Sequence, residues 1–227
     1  VSSATPMTGG PPGGTGYDLG VSTGRYHSPR RAEAAAATRA AILATGRRLF
    51  ITQGYAATTV PQIARGAGVA VPSVYTSTGG KADILAALLE PAVADPLIAE
   101  CLAVIATSTD AAEIIRLAGE GIRRTHERHW ETVTELFPQC QFEPGTADLH
   151  HRTTKRFQAA LAQIAGRLTD LGAVREGLHP AEVHDLLWFY FGAAAWPALI
   201  RDRGWTFDRA QEWLTEQLTT ALLPPSS

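Results

Sequence analysis

Four short stretches hold residue types that could do chemistry, and each calls for a different partner. Gly79-Gly80-Lys81 sets a lysine behind two glycines, as the end of a phosphate-cradling loop would. That loop needs its first glycine where this chain has Tyr75, and a strand before it, and the pattern supplies neither. His126-Glu127-Arg128-His129 puts two imidazoles three apart on one helical face, and His150-His151 puts two side by side. No adjoining Cys or acid set completes a ligand shell, so packed or solvated histidines are the better reading and no metal is expected. Cys101 and Cys140 form no CxxC pair. With no nucleophile elbow either, catalysis is not expected and no cofactor is called for.

The fourth stretch is Ile63-Ala64, Gly68-Val69 and Val74. Two helices that cross steeply need a small residue at their closest approach, here Ala64. The tight turn between them needs a residue at ease in left-handed geometry, here Gly68. Ile63, Val69 and Val74 would then lock the pair and turn the surface Ser73–Ser77 outward. The competing reading is an ordinary helical hairpin. Charge separates the two. From Arg25 to Lys81 there are seven Arg and one Lys against one acid, a net +7, while everything from Ala82 onward sums to −8. A basic head on an acidic body suits a head that meets a polyanion.

These residues must be positioned by helices. The chain has 227 residues, 45% of them hydrophobic, enough for a sizeable core. Ala, Leu, Arg and Glu are abundant and strict alternation is scarce, so the fold class is all-α. Residues 1–24 are rich in Gly, Pro, Ser and Thr and are expected to be disordered, within an arm that runs to residue 30. A three-helix unit follows over 31–80. Its first helix runs from about Ala32 to Gln53. Its second opens at the capping box Thr59-Val60-Pro61-Gln62 and ends near Gly66, and its third runs from Ala70 to Ser77, stopped by Gly79-Gly80. A helical body occupies 81–227. Its expected helices begin at Lys81 and then cover 97–106, 110–129, 131–141, 146–171, 180–203 and 208–222. The longest apolar run, Leu186 to Ile200, is shorter than the ~20 residues a membrane span needs, so a cytoplasmic place is expected.

The stretch Ile42-Leu43, Leu49-Phe50, Gly54-Tyr55, Thr58-Thr59-Val60, Ile63-Ala64, Ala67-Gly68-Val69, Val74-Tyr75 and Lys81 resembles the DNA-binding domain of the TetR family of bacterial regulators. Arg201-Asp202-Arg203-Gly204-Trp205 also resembles actinobacterial members. The chain departs from the family at Thr78, where members carry an aromatic, and at Gly80; a looser end to the third helix is expected there. The resemblance implies a helix-turn-helix domain reading double-stranded DNA, with Thr59 and Tyr75 hydroxyls and Lys81 on phosphates. For Tyr75 the alternative is a core aromatic. The outward residues of the third helix, Ala70, Val71, Ser73, Thr76 and Ser77, include none of the Arg, Lys, Asn or Gln that make bidentate base contacts, so direct readout is thin. Arg25, Arg30 and Arg31, before the first helix, could enter the adjacent minor groove; a solvated basic linker is the equal alternative.

The resemblance further implies a homodimer through the last two helices, a near-palindromic operator, and a small organic ligand between the middle helices, with repression relieved by that ligand. Leu186, Leu187, Tyr190, Phe191, Ala194 and Ala195, and the stripe Trp213, Leu214, Leu218 and Leu222, suit close helix packing. Pocket candidates are His126, Trp130, Phe137, Cys140, Phe142, Phe157, Trp188 and Trp196, with ordinary core packing the competing reading for each. Pro197 is expected to kink its helix or end its first half. The alternative function is a helical interaction or adaptor protein whose DNA binding has degenerated.

Overall fold

Thr59 and Gly68 decide where the second helix starts and stops, and the head is built around it. The Thr59 hydroxyl accepts from the Gln62 N–H at 3.4 Å while the Gln62 carboxamide oxygen accepts from the Thr59 N–H at 2.8 Å. This reciprocal cap satisfies two orphan donors of the first turn, and Pro61 fits there because it has no N–H to lose. Gly68 ends the helix at φ 69°, ψ 29°, a left-handed cap.

The computed structural model describes residues 29–141 and 145–225. The arm before residue 29, Arg25 within it, and Phe142 lie outside them. The head comprises α1 (Pro29–Gln53), α2 (Val60–Ala67) and α3 (Val71–Thr78). The body follows with α4 (Lys81–Val93), α5 (Pro96–Thr107), α6 (Ala111–Glu131), α7 (Ala147–Asp170), α8 (Pro180–Phe191), α9 (Ala195–Ile200) and α10 (Phe207–Leu222). The described residues contain no strand, so the fold is all-α.

Two apolar cores divide the molecule. One gathers Ile42, Phe50, Tyr55, Ile63, Ala64 and Val74 of the head with Ile84, Leu85 and Leu89 of α4 and with Leu136 and Cys140. The other lies within the body, around Ile114, Ile115, Leu168, Leu187, Phe191, Trp196 and Leu218. Close approach in the head depends on small residues. A Cβ on Gly46 would stand 2.7 Å from Ile84 Cγ2, and one on Gly66 would stand 2.7 Å from Thr45 Cγ2.

Two expected helices are interrupted, both beside a proline. The segment expected as a helix over 131–141 is a π turn, Thr132–Leu136, followed by a 3-10 turn, Phe137–Cys140. Pro138 has no N–H for the Thr134 carbonyl and its ring would press on it. The chain widens before the proline, where the Phe137 N–H reaches back to the Thr132 carbonyl, and tightens after it. The helix expected over 180–203 splits into α8 and α9 at residues 192–194. Pro197 sits in the first turn of α9 rather than at a kink, because its ring excludes a helical carbonyl at Ala193 and pushes the break one turn upstream.

Gly192 makes that break possible. Its N–H still bonds the Trp188 carbonyl at 2.9 Å, and a Cβ at Gly192 would fall onto that same carbonyl oxygen. Gly192→Ala therefore forces backbone to move and is expected to cost about 1–3 kcal/mol, the usual range for overpacking. In a chain of this size that lowers the thermal midpoint by about 2–12 °C. An unchanged midpoint in calorimetry would show that the α8–α9 junction relaxes freely.

Candidate nucleic-acid interface and ligand cavity

Ala64 is buried beneath α3, and the α2–α3 turn closes with the Val69 N–H on the Ala64 carbonyl at 3.0 Å. Val74 is the inward residue of α3 and is fully buried. The opposite side carries Tyr75, 55% exposed, with Thr76 and Pro72 also exposed. Tyr75 is thus a surface residue and not a core aromatic. Ala70 caps the helix in the open, and Val71, Ser73 and Ser77 are half-buried. The Thr76 hydroxyl donates back to the Pro72 carbonyl at 2.9 Å, and Arg39 of α1 donates to the Ser77 carbonyl at 2.8 Å, tying the end of α3 to the first helix.

Two expected phosphate ligands carry local duties as well. Thr59 holds the α2 cap, and its hydroxyl also donates to Gln62 Oε1 at 3.0 Å. Lys81, in the first turn of α4, donates to the Tyr55 carbonyl at 2.8 Å and lies 4.1 Å above the Tyr55 ring. An ammonium has three donors, so that bond leaves capacity for an anion. Arg30 and Arg31 are exposed in the first turn of α1, so they project from a helix and not from a loose arm. Thr78 stands where an aromatic is usual in the resemblance. It is buried, and its hydroxyl donates to the Val74 carbonyl at 2.9 Å. The α3 terminus is closed by this bond and by the Gly79 N–H on the Tyr75 carbonyl.

A cavity of about 500 Å³ opens in the body between α5, α6, α7 and the turn after α6. His126, Phe137, Phe157 and Trp188 line it, together with Ile98, Leu102, Val133, Ala160 and the polar groups Asp95, Thr125, Arg156 and Gln163. Trp130, Cys140 and Trp196 do not. Trp130 packs edge-on against Phe207 at 5.3 Å. Trp196 is fully buried behind the cavity wall, stacked on the His126 ring at 4.9 Å. Cys140 belongs to the head core, where burial pushes its thiol up to about 11 despite the bond to Thr146. In each case apolar area is hidden more completely by a neighbouring helix than by a solvent-reachable hollow.

Asp95 and its partners were not among the expected site residues. Asp95 caps α5, accepting from the Leu97 N–H at 3.0 Å, and it accepts from Arg128 at 2.9 Å and from His129 Nε2 at 2.8 Å. Burial pushes its carboxyl up, but the bonds from Leu97, His129 and Arg128 outweigh this and hold it below the ordinary carboxylate value. The Asp95-Pro96 pair is a helix-start signal legible in the sequence; its meeting with Arg128 and His129, over thirty positions away, is not. His150 also finds an aromatic partner, stacking on Phe137 at 4.8 Å. Among the described residues no helix is long and apolar enough to cross a membrane.

Head and cavity meet at the turn after α6. Thr132, Val133 and Phe137 line the cavity. Two residues on, Gln139 accepts from the Tyr55 N–H at 2.6 Å and donates to the Phe50 carbonyl at 3.1 Å, both at the end of α1. Arg47 pairs with Glu131 beside it, and Glu135 pairs with Arg201 at 2.9 Å beyond α9.

Comparison with known proteins agrees with this architecture. Residues 42–88 match the family model of bacterial regulatory proteins of the tetR family. A comparison with curated proteins finds no match. Among solved structures, NalD, the secondary repressor of the MexAB-OprM multidrug efflux pump in Pseudomonas aeruginosa, is 24% identical with a TM-score of 0.64, over 86% of this chain and 100% of that one. The transcriptional regulator FadR from Bacillus subtilis in complex with stearoyl-CoA is 19% identical with a TM-score of 0.61, over 80% of this chain and 98% of that one. A transcriptional regulator from Saccharomonospora viridis in complex with choline is 20% identical with a TM-score of 0.60, over 84% and 100%. Residues 42–88 are therefore a TetR-type N-terminal domain, and the chain shares the all-helical fold of these solved structures.

Proposed function

We propose that this protein is a one-component transcriptional repressor: a homodimer that covers a near-palindromic operator and leaves it when a small organic molecule occupies the cavity. The observation that carries the reading is the helix crossing at buried Ala64, turned by the left-handed Gly68, which presents the α3 face bearing Tyr75 and Thr76 to solvent from a strongly basic head. Thr76, Ser73, Ala70 and Val71 would lie in the major groove, with Thr59, Tyr75 and Lys81 on flanking phosphates. Ser77 would serve through its backbone tie to Arg39. Arg30 and Arg31 would add electrostatic attraction from the start of α1.

The dimer would form on α8 and α10. Within one protomer Leu187, Phe191, Leu214, Leu218 and Leu222 are already buried, so they serve the core and not the interface. Apolar surface left over on these helices includes Phe189, 69% exposed, and Trp213, 40% exposed, which suits a twofold helical contact. The test of the whole reading is fluorescence anisotropy on the duplex upstream of the protein's own gene, across 50–300 mM salt. Binding at least ~10³-fold tighter than to a random duplex, with a steep salt slope, is expected. Equal affinity for both duplexes would favour the adaptor reading instead.

Ligand control would run through Gln139, because its neighbours line the cavity while its amide grips the end of α1. Gln139→Leu removes the acceptor of the Tyr55 N–H and a donor to Phe50. Losing such bonds costs about 1–3 kcal/mol. Deuterium uptake over residues 50–58 is expected to accelerate by about 5–150-fold, while α7 is unaffected. Unchanged uptake at 50–58 would show that this grip carries no coupling.

A further inference from the structure

His126 is a buried polar residue at the cavity whose hydrogen-bonding capacity is half used. Its Nδ1 lies 3.0 Å from the Ile122 carbonyl. Only a protonated Nδ1 can donate there, so the neutral ring presents a bare lone pair at Nε2. That Nε2 is buried and has no hydrogen-bond partner among the described residues, in a residue only 5% exposed. A buried acceptor left unmatched costs stability, and such groups in folded proteins call for an explanation.

The surroundings supply one. The ring borders both the large cavity and a side hollow of about 80 Å³, lined chiefly by Cys101, Gly121, Ile122 and Ile164. Thr125, the other polar side chain in that hollow, already donates to the Gly121 carbonyl at 2.9 Å. Cys101 likewise donates to the Leu117 carbonyl. The nearby charge, Asp95, is answered by Arg128 and His129 and asks for nothing more.

We propose that the cavity takes an uncharged, mainly apolar molecule carrying one hydroxyl or amide N–H that donates to His126 Nε2. This rests on the reading of the cavity as the effector site and narrows the effector's class. An acceptor-only group would set one lone pair against another. Beside His126 a carboxylate would do the same while losing its solvation, because Arg156, the cation in the large cavity's lining, is exposed and does not border the side hollow, and an ammonium would enter that hollow with no counter-charge. A cavity of this volume lies within the range that holds drug-sized molecules.

Two probes of matched shape test it: 4-heptylphenol, which can donate, and 4-heptylanisole, which cannot. Titration calorimetry with the full-length protein is expected to give about tenfold tighter binding for the phenol. His126→Phe, which keeps an aromatic ring against Trp196, is expected to bring the two probes within about twofold. In a ¹⁵N-histidine sample, the phenol should move the His126 Nε2 resonance upfield and the anisole should not. That measurement needs no variant, so it stands even where His126→Phe fails to fold. Equal affinities for both probes, a preference that survives His126→Phe, or a stationary Nε2 resonance would each overturn the His126 assignment and leave the cavity reading intact. Absence of binding by either probe would overturn both.

Discussion

Phe50→Ala is expected to destabilise the head by about 3–5 kcal/mol, the usual cost of emptying a fully buried phenylalanine site. Phe50 is completely buried, stands 5.2 Å from the Tyr55 ring, and shares its core with Ile63 and Val74, the residues that hold α3 in place. Domains of this kind have only about 5–15 kcal/mol to lose. The two separate cores make the outcome specific. All five tryptophans lie in the body, from Trp130 onward, so their fluorescence reports the second core alone. Urea unfolding followed by circular dichroism should gain an early helical transition. Tryptophan fluorescence should keep its midpoint, and sequence-specific DNA binding should vanish with the early transition. A loss below about 1 kcal/mol would mean that α4 and Leu136 close over the gap, and that the head core is softer than its burial implies.

What was legible in the sequence follows from how local each cause is. Thr59, Gln62 and Gly68 act on their own helix, through a cap and a left-handed turn, so the head could be read from spacing alone and its helices lie within three residues of expectation. The two broken helices were harder. A proline announces that something must give, but whether it kinks, widens or breaks the helix depends on what packs around it. Pro138 falls where the chain must serve both the Leu136 core contact and the Gln139 grip on α1, and a π turn followed by a tighter one satisfies both. Gly192 gave no sequence signal beyond its identity, yet it locates the second break.

The cavity was half legible for a related reason. Aromatic and histidine residues on the middle helices look alike in a sequence. His126, Phe137, Phe157 and Trp188 border open space, whereas Trp196, one face away from His126, is sealed behind it. That distinction is made by the rotation of each helix about its axis and by the length of its neighbour, which no single helix encodes. Asp95 is the converse case. Its local role as an α5 cap is plain from Asp95-Pro96, and its long-range role, uniting α6 through Arg128 and His129, depends on the approach of two helices.

Acid is expected to remove about 3 kcal/mol of stability between pH 6.5 and pH 4, through His126. Burial depresses its pKa to about 4, against the opposing bond to the Ile122 carbonyl, whereas in the unfolded chain it titrates near 6.5. Above pH 6.5 neither state holds the proton, so stability is at its full value. As pH falls below 6.5 the unfolded chain takes up a proton that the folded protein refuses, and stability drops until the folded ring also protonates near pH 4. Asp95 works in a lower window. Its depressed pKa makes its contribution complete above about pH 4 and lost only on further acidification. The two groups are therefore separable by titration. Urea midpoints measured at pH 7, 5.5 and 4.5 should fall steadily in the natural protein and far less in His126→Phe, whose side chain cannot take up the proton. A flat profile in the natural protein, or an identical slope in the variant, would show that the ring gains solvent in solution, and would remove the dry surroundings that make its Nε2 a selective acceptor.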